Sequence, residues 1–203
     1  NLDPEELRQY FPLERVLSGM FLVVQKLYGM KLTPMKVKSY HRDVRTYEVS
    51  RKGVKIGYLI IDLFARPEKR PGAWCEPLRS RRVRSDGTKT LPIVTFMANF
   101  GKTSGKKPTL LTHMEVTTLF HEFGHGLHHM LTEVDIAGVA GVHGVEWDAV
   151  ELPSQIMENW CWEKEVLESL SGHFETGEKL PEEKIDQLDR KSTRLNSSHL
   201  VIS

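Results

Sequence analysis

The chain has 203 residues, 39% of them hydrophobic, a net charge of +1 and two cysteines, which suffices for one core. So even a charge balance gives no global attraction to nucleic acid or acidic lipid. Two cysteines cannot build a disulfide framework, which favours a reducing, cytoplasmic setting. The longest early apolar run, Val16 to Val24, contains Ser18 and Gly19 and is too short to span a bilayer. No nucleic-acid and no membrane partner is therefore expected, and composition carries no signal for oligomeric state.

From Pro4 to about Tyr28 the spacing of Leu7, Phe11, Val16, Phe21, Val24 and Leu27 predicts helices interrupted by Pro12, within a helical region over residues 1–40. Residues 41–100 are expected to form a small sheet. Val44–Ser50, Lys55–Ala65 and Leu91–Phe100 are rich in β-formers and separated by turn signals such as Arg51-Lys52-Gly53 and Ser85-Asp86-Gly87. Pro92 suggests that the last of these strands is an edge. An extended peptide could add to such an edge by main-chain hydrogen bonds, which makes Ala98 and Asn99 candidate substrate-strand residues; the alternative is an ordinary covered strand. The basic run Arg79 to Arg84 reads as a solvated loop.

Helices are expected over 112–188. Thr112 and Glu115 form a capping-box pattern, joined by the apolar positions Met114, Val116, Leu119, Phe120, Phe123, Leu127 and Met130, so a largely buried helix should run to about Leu131. Within it stands His121-Glu122-Phe123-Gly124-His125. Residues four apart share a helix face, so both imidazoles can bind one zinc ion, while Glu122 is placed to act as general base on a zinc-activated water. Gly124 and Gly126 each cost about 1 kcal/mol relative to Ala in a helix interior, so a close approach by substrate or a neighbouring element is expected there.

A catalytic zinc site takes a third protein ligand and keeps one open position. Glu151 is the best candidate, followed by Pro153, a residue at home in a first helical turn. A second helix from about Glu151 to Leu170 would align Glu151, Gln155 and Glu158, so that Gln155 or Glu158 could orient a ligating imidazole. The competing reading makes Glu151 a helix cap and Glu158 a solvated charge. His128, His129 and His143 read as bystanders, and Cys161, between Trp160 and Trp162, as a packed thiol.

Phe120 through His129, together with Glu151-Leu152-Pro153-Ser154-Gln155-Ile156-Met157-Glu158-Asn159-Trp160, resembles the thimet oligopeptidase family of zinc peptidases. The resemblance runs to about Leu188. It implies His121, His125 and Glu151 as metal ligands, one Zn2+ per chain, Glu122 as catalytic base, and short peptides as substrates. It also implies a mainly helical α+β, zincin-like catalytic region with a small sheet beside the metal helix. The Gly138 to Gly144 segment then reads as a mobile loop closing over substrate.

On this reading residues 1–188 are a partial catalytic domain, lacking helices that in the family carry tyrosine and histidine side chains to the tetrahedral intermediate. The isolated chain is expected to be weakly active or inactive. The alternatives are a dipeptidyl carboxypeptidase of the same family, or a catalytically inactive zinc-binding fragment. Residues 189–203 are expected to be non-native, since Asp189 to His199 back-translates into a string resembling a short-read sequencing adapter.

Overall fold

Prolines and caps set the first elements. In the computed structural model, which describes residues 3–103, 105 and 107–189, Asp3 accepts a hydrogen bond from the Glu5 N–H (2.9 Å) and starts α1 (Pro4–Arg8). Pro12 then holds an extended backbone as N-cap of α2 (Leu13–Tyr28). The expected interruption at Pro12 is therefore present.

The strands are β1 (Met30–Met35), β2 (Arg45–Arg51), β3 (Val54–Phe64), β4 (Trp74–Arg79), β5 (Arg82–Val83), β6 (Lys89–Thr90) and β7 (Ile93–Phe100). Five of them form one mixed sheet in the order β1-β2-β3-β7-β4, and β5 pairs with β6. Among the described residues only the β3–β7 pairing is parallel. Lys52 and Gly53, with φ of 50° and 78°, form the tight turn between β2 and β3, where positive φ at both positions matches strand twist.

Leu59, Ile61 and Leu63 of β3 and Val94, Phe96 and Ala98 of β7 are buried in one core with Leu119, Phe120, Phe123 and Leu127 of α3 (His113–Leu131). The α+β class with a small sheet against helices is as expected. After α3 come a 3-10 turn (Ala137–Val139), α4 (Leu152–Asn159) and α5 (Lys164–Leu170), and residues 182–189 are helical. No helix among the described residues is long and apolar enough to cross a membrane. Except for Asp189, the tail expected to be non-native lies outside the described residues.

Three expectations need correction. Residues 1–40 are not all helical, because Met30–Met35 pairs along β2 as an outer strand. Its proline, Pro34, belongs at a sheet edge and obscured the strand pattern.

Second, β7 is interior rather than an edge. Pro92 precedes it, and its carbonyl accepts the Tyr58 N–H (3.0 Å). Ala98 is buried with its carbonyl bonded to Lys69 Nζ, and Asn99 Nδ2 donates to the Arg70 and Gly72 carbonyls (2.8 and 2.7 Å). Neither residue offers a free edge to a peptide. The outer strand on this side is β4, which carries Pro77.

Third, the helix expected from Glu151 to Leu170 breaks between α4 and α5. The Cys161 carbonyl there accepts from His113 Nε2 (2.9 Å), and the His113 ring packs edge-on against Trp162 at 4.4 Å. A tertiary anchor has displaced helical continuation.

On β3, buried Asp62 accepts from Arg66 (2.8 and 2.6 Å), Lys69 Nζ (3.0 Å) and the Tyr40 hydroxyl (2.8 Å). This knot ties the segment after β3 back onto the sheet.

Candidate metal centre

The α3 helix begins where the sequence places it. Thr112 Oγ1 accepts the Glu115 N–H (3.2 Å) and Glu115 Oε2 accepts the Thr112 N–H (2.7 Å), a reciprocal cap. Met114, expected on the apolar stripe, is instead exposed in the first turn, but Phe120, Phe123 and Leu127 are directed into the core, and His121 and His125 are left half-buried with ring centroids 5.0 Å apart.

Glu151 stands at the N-cap position of α4, yet its carboxylate does not cap that helix. Glu151 Oε2 lies 3.2 Å from His121 Nε2 and 3.2 Å from His125 Nε2. The Ser154 hydroxyl lies 2.8 Å from the same oxygen and 2.7 Å from the Glu151 backbone carbonyl, sharing its one proton between the two acceptors. One ligand atom from each of His121, His125 and Glu151 lies within 4.8 Å of the others. Donor atoms about 2.1 Å from a tetrahedral zinc ion stand roughly 3.4 Å apart, close to the two separations seen here. Two imidazoles and one carboxylate are also a set that suits zinc with an open position. The residues fit the ion.

Glu158 Oε1 is 2.5 Å from His121 Nδ1. That contact puts the ring proton on Nδ1 and leaves the Nε2 lone pair facing Glu151. Gln155, the other candidate for this role, is exposed and takes part through its backbone N–H to the Glu151 carbonyl (2.9 Å). Burial pushes the His125 pKa below its ordinary value, favouring the neutral imidazole that can act as a ligand.

Glu122 is 8% exposed and lies beside the three-residue group rather than in it. Burial pushes its carboxyl pKa up, with the Glu151 charge adding to the rise, while His121 and the backbone of Cys75 pull it down. Cys75 belongs to β4, so Glu122 is held between α3 and the outer strand.

The other histidines among the described residues do not join the group. His129 Nε2 donates to the Arg79 carbonyl (3.0 Å), a strut between α3 and β4, and the ring of exposed His143 lies 5.7 Å from that of His129. Buried Cys161 has its thiol pKa pushed well up by desolvation, in keeping with a packed side chain. Sequence reasoning missed β4 and Ser154; a hydroxyl three residues after Glu151, at the start of a helix, was the available signal.

The profile of Peptidase family M3 matches residues 1–202. Oligopeptidase A of Haemophilus influenzae is 50% identical over 189 residues, covering 92% of this chain and 28% of that protein. Oligopeptidase A of Escherichia coli is 48% identical over 190 residues, covering 93% and 28%. An organellar oligopeptidase A of Arabidopsis thaliana is 45% identical over 190 residues, covering 90% and 24%. The chain thus spans about a quarter of the length of these relatives. With two separated motifs folded onto one ion-sized site and the family profile running the length of the chain, it belongs to the M3 peptidases, the thimet oligopeptidase family, and is similar to bacterial oligopeptidase A.

Proposed function

We propose that this chain is the metal-holding part of a cytoplasmic, zinc-dependent endopeptidase that hydrolyses short oligopeptides, with residues 1–188 as part of a zincin-like catalytic domain. The observation that carries this reading is the convergence of His121 Nε2, His125 Nε2 and Glu151 Oε2, with the Glu122 carboxylate next to them. Zinc held there supplies Lewis acidity, polarising a carbonyl oxygen and acidifying water at its open position.

Each side chain then has a separate task. Glu122 carries the proton: its carboxylate accepts one from the attacking water and returns it to the leaving amine nitrogen. A pKa raised by burial brings that carboxylate closer to the working range of a proton shuttle. Glu158 fixes the His121 tautomer and Ser154 fixes the Glu151 oxygen. The free side of β4 is the docking edge in place of β7, and because Pro77 has no N–H, a peptide there must find carbonyl acceptors at that position.

The test has two arms. Zinc titration of the chain should give one ion for the native sequence and for Glu122→Gln, and lose that site in His121→Ala and Glu151→Ala. In the intact parent enzyme, Glu122→Gln should abolish peptide hydrolysis. Wild-type turnover by Glu122→Gln overturns the assignment of the base, and undiminished zinc binding by Glu151→Ala overturns that of the third ligand.

A further inference from the structure

A groove of about 370 Å³ lies at the C-terminal end of α3, away from the metal group. Leu131 in its wall is six residues beyond His125, about 9 Å along the helix axis. Met130 and Leu131 of α3 and Ile56 of β3 give the groove an apolar floor. Val54, 66% exposed, stands at its rim with nothing covering it. Arg51, Lys52 and Arg81 supply three cations to the wall, against Glu133 as its one acid.

Hydrogen bonds to the main chain help hold these cations in place. Arg51 Nε donates to the Tyr28 carbonyl (3.1 Å), while its Nη1 is a loose 3.9 Å from Glu133 Oε1. Arg81 Nε donates to Asp135 Oδ1 (2.6 Å), and the Val83 N–H donates to the Asp135 carbonyl (3.0 Å), which fastens the β5–β6 hairpin beside the groove. Among the described residues Lys52, Arg82 and Arg84 have no acidic partner. With Lys89, groove and hairpin carry six cationic side chains against Asp86, Glu133 and Asp135, in a chain whose net charge is only +1. That local excess attracts an anion.

The rest of the wall selects the kind of anion. An α-helix leaves its last four carbonyls without intrahelical partners, and in α3 these stand at the Leu131 end, beside the groove. Those oxygens and Glu133 repel a surface of phosphates, whether of nucleic acid or of lipid. A peptide instead brings N–H donors for the carbonyls, an apolar side chain for the floor and carboxylates for Arg51, Lys52 and Arg81. We infer that this groove is a second peptide-binding site, apart from the metal centre, that takes an acidic segment carrying an apolar side chain. It stands on its own residues and does not depend on the zinc-peptidase reading.

The experiment follows the fluorescence anisotropy of a labelled Glu-Glu-Leu-Glu-Glu peptide, blocked at both ends, on the full chain with Glu122→Gln introduced to prevent cleavage. The acidic peptide should bind at least about 10-fold more tightly than its analogue with Gln in place of Glu, and more weakly as salt is raised. Replacing its Leu by Ser should weaken binding about 3-fold or more. Lys52→Gln should weaken it about 2- to 4-fold, and Glu133→Gln should tighten it about 2-fold. Both side chains are exposed, so neither variant removes core packing, and damage to the fold would not tighten binding. Equal affinity for the Glu and Gln peptides, or affinity unmoved by both variants, overturns the site. Equal affinity for the Leu and Ser peptides, with tighter binding to phosphatidylserine vesicles, overturns the choice of a peptide as its occupant.

Discussion

A β-carbon added to Gly124 would lie 2.5 Å from Ser154 Cα and 2.5 Å from the Pro153 carbonyl oxygen, so only glycine lets α3 and the start of α4 touch backbone to backbone. This contact brings Glu151 to the two imidazoles. Gly124→Ala must push α4 outward, because the clash is with main chain rather than with a flexible side chain. We expect zinc affinity to fall at least 10-fold and stability to drop by about 1–3 kcal/mol, despite the better helix propensity of Ala. Gly126 is the control. Its added β-carbon would meet only ordinary contacts at 3.8–3.9 Å, so Gly126→Ala should leave zinc binding intact and raise stability by up to about 1 kcal/mol. Thermal melts and chelator-competition titrations of both variants decide it, and native-like zinc affinity in Gly124→Ala would refute the close-packing argument.

Glu158 touches no proposed metal-binding atom, yet it should be needed for metal affinity. Its 2.5 Å contact with His121 Nδ1 selects the tautomer that presents Nε2. Removing such a partner usually weakens metal binding about 10- to 100-fold. Glu158→Ala should show that loss. Glu158→Gln, whose amide oxygen can still accept the Nδ1 proton, should recover much of it. Native-like zinc affinity in Glu158→Ala would reduce Glu158 to a surface charge.

The metal helix was legible from sequence because every local signal in it agrees: cap, apolar stripe and histidine spacing all require the same helix. The facing element was less so. Glu151 sits just before α4 rather than inside it, which turns the helix so that buried Ser154, not exposed Gln155, follows it toward α3. Glu158, two turns on from Glu151, faces His121 in either phase. The two outer strands were missed for one shared reason. Pro34 and Pro77 weaken the β signal in β1 and β4, and only the assembled sheet reveals that both strands lie at edges, where a missing N–H is harmless.

The two thiols should be poorly reactive in the folded chain. Desolvation pushes the Cys75 thiol pKa far above its ordinary value, with Glu122 and Glu76 adding to the rise, and Cys161 is fully buried. Since the thiolate is the nucleophile, buried Cys161 should not react appreciably with a disulfide reagent at pH 8, and half-buried Cys75 should react far more slowly than a free thiol. Adding denaturant should expose two thiols per chain. Rapid labelling of native protein at Cys75 would show that the β4 side of the site is more open than this packing implies.

The knot at Asp62 predicts how the fold responds to acid. Burial alone would raise the Asp62 pKa, but hydrogen bonds from Arg66, Lys69 and Tyr40 outweigh it and hold the carboxyl at about 2. Burial and the Asp62 contact push the Tyr40 hydroxyl up to about 12, so it remains a donor throughout. An unfolded chain titrates near the ordinary Asp value of about 3.9. Between these values the unfolded state binds the extra proton, so stability falls as pH falls. The contribution, on the order of 2 kcal/mol, is complete above about pH 4 and lost as pH drops through about 2. Asp62→Asn removes the titrating group while leaving Lys69, whose side chain is 4% exposed, without its charge partner. It should therefore cost about 3–5 kcal/mol at pH 7 and flatten the stability profile between pH 2 and 4. Urea unfolding of both proteins across that range tests the sign and the size together. Parallel profiles would mean that acid lability originates at other carboxylates.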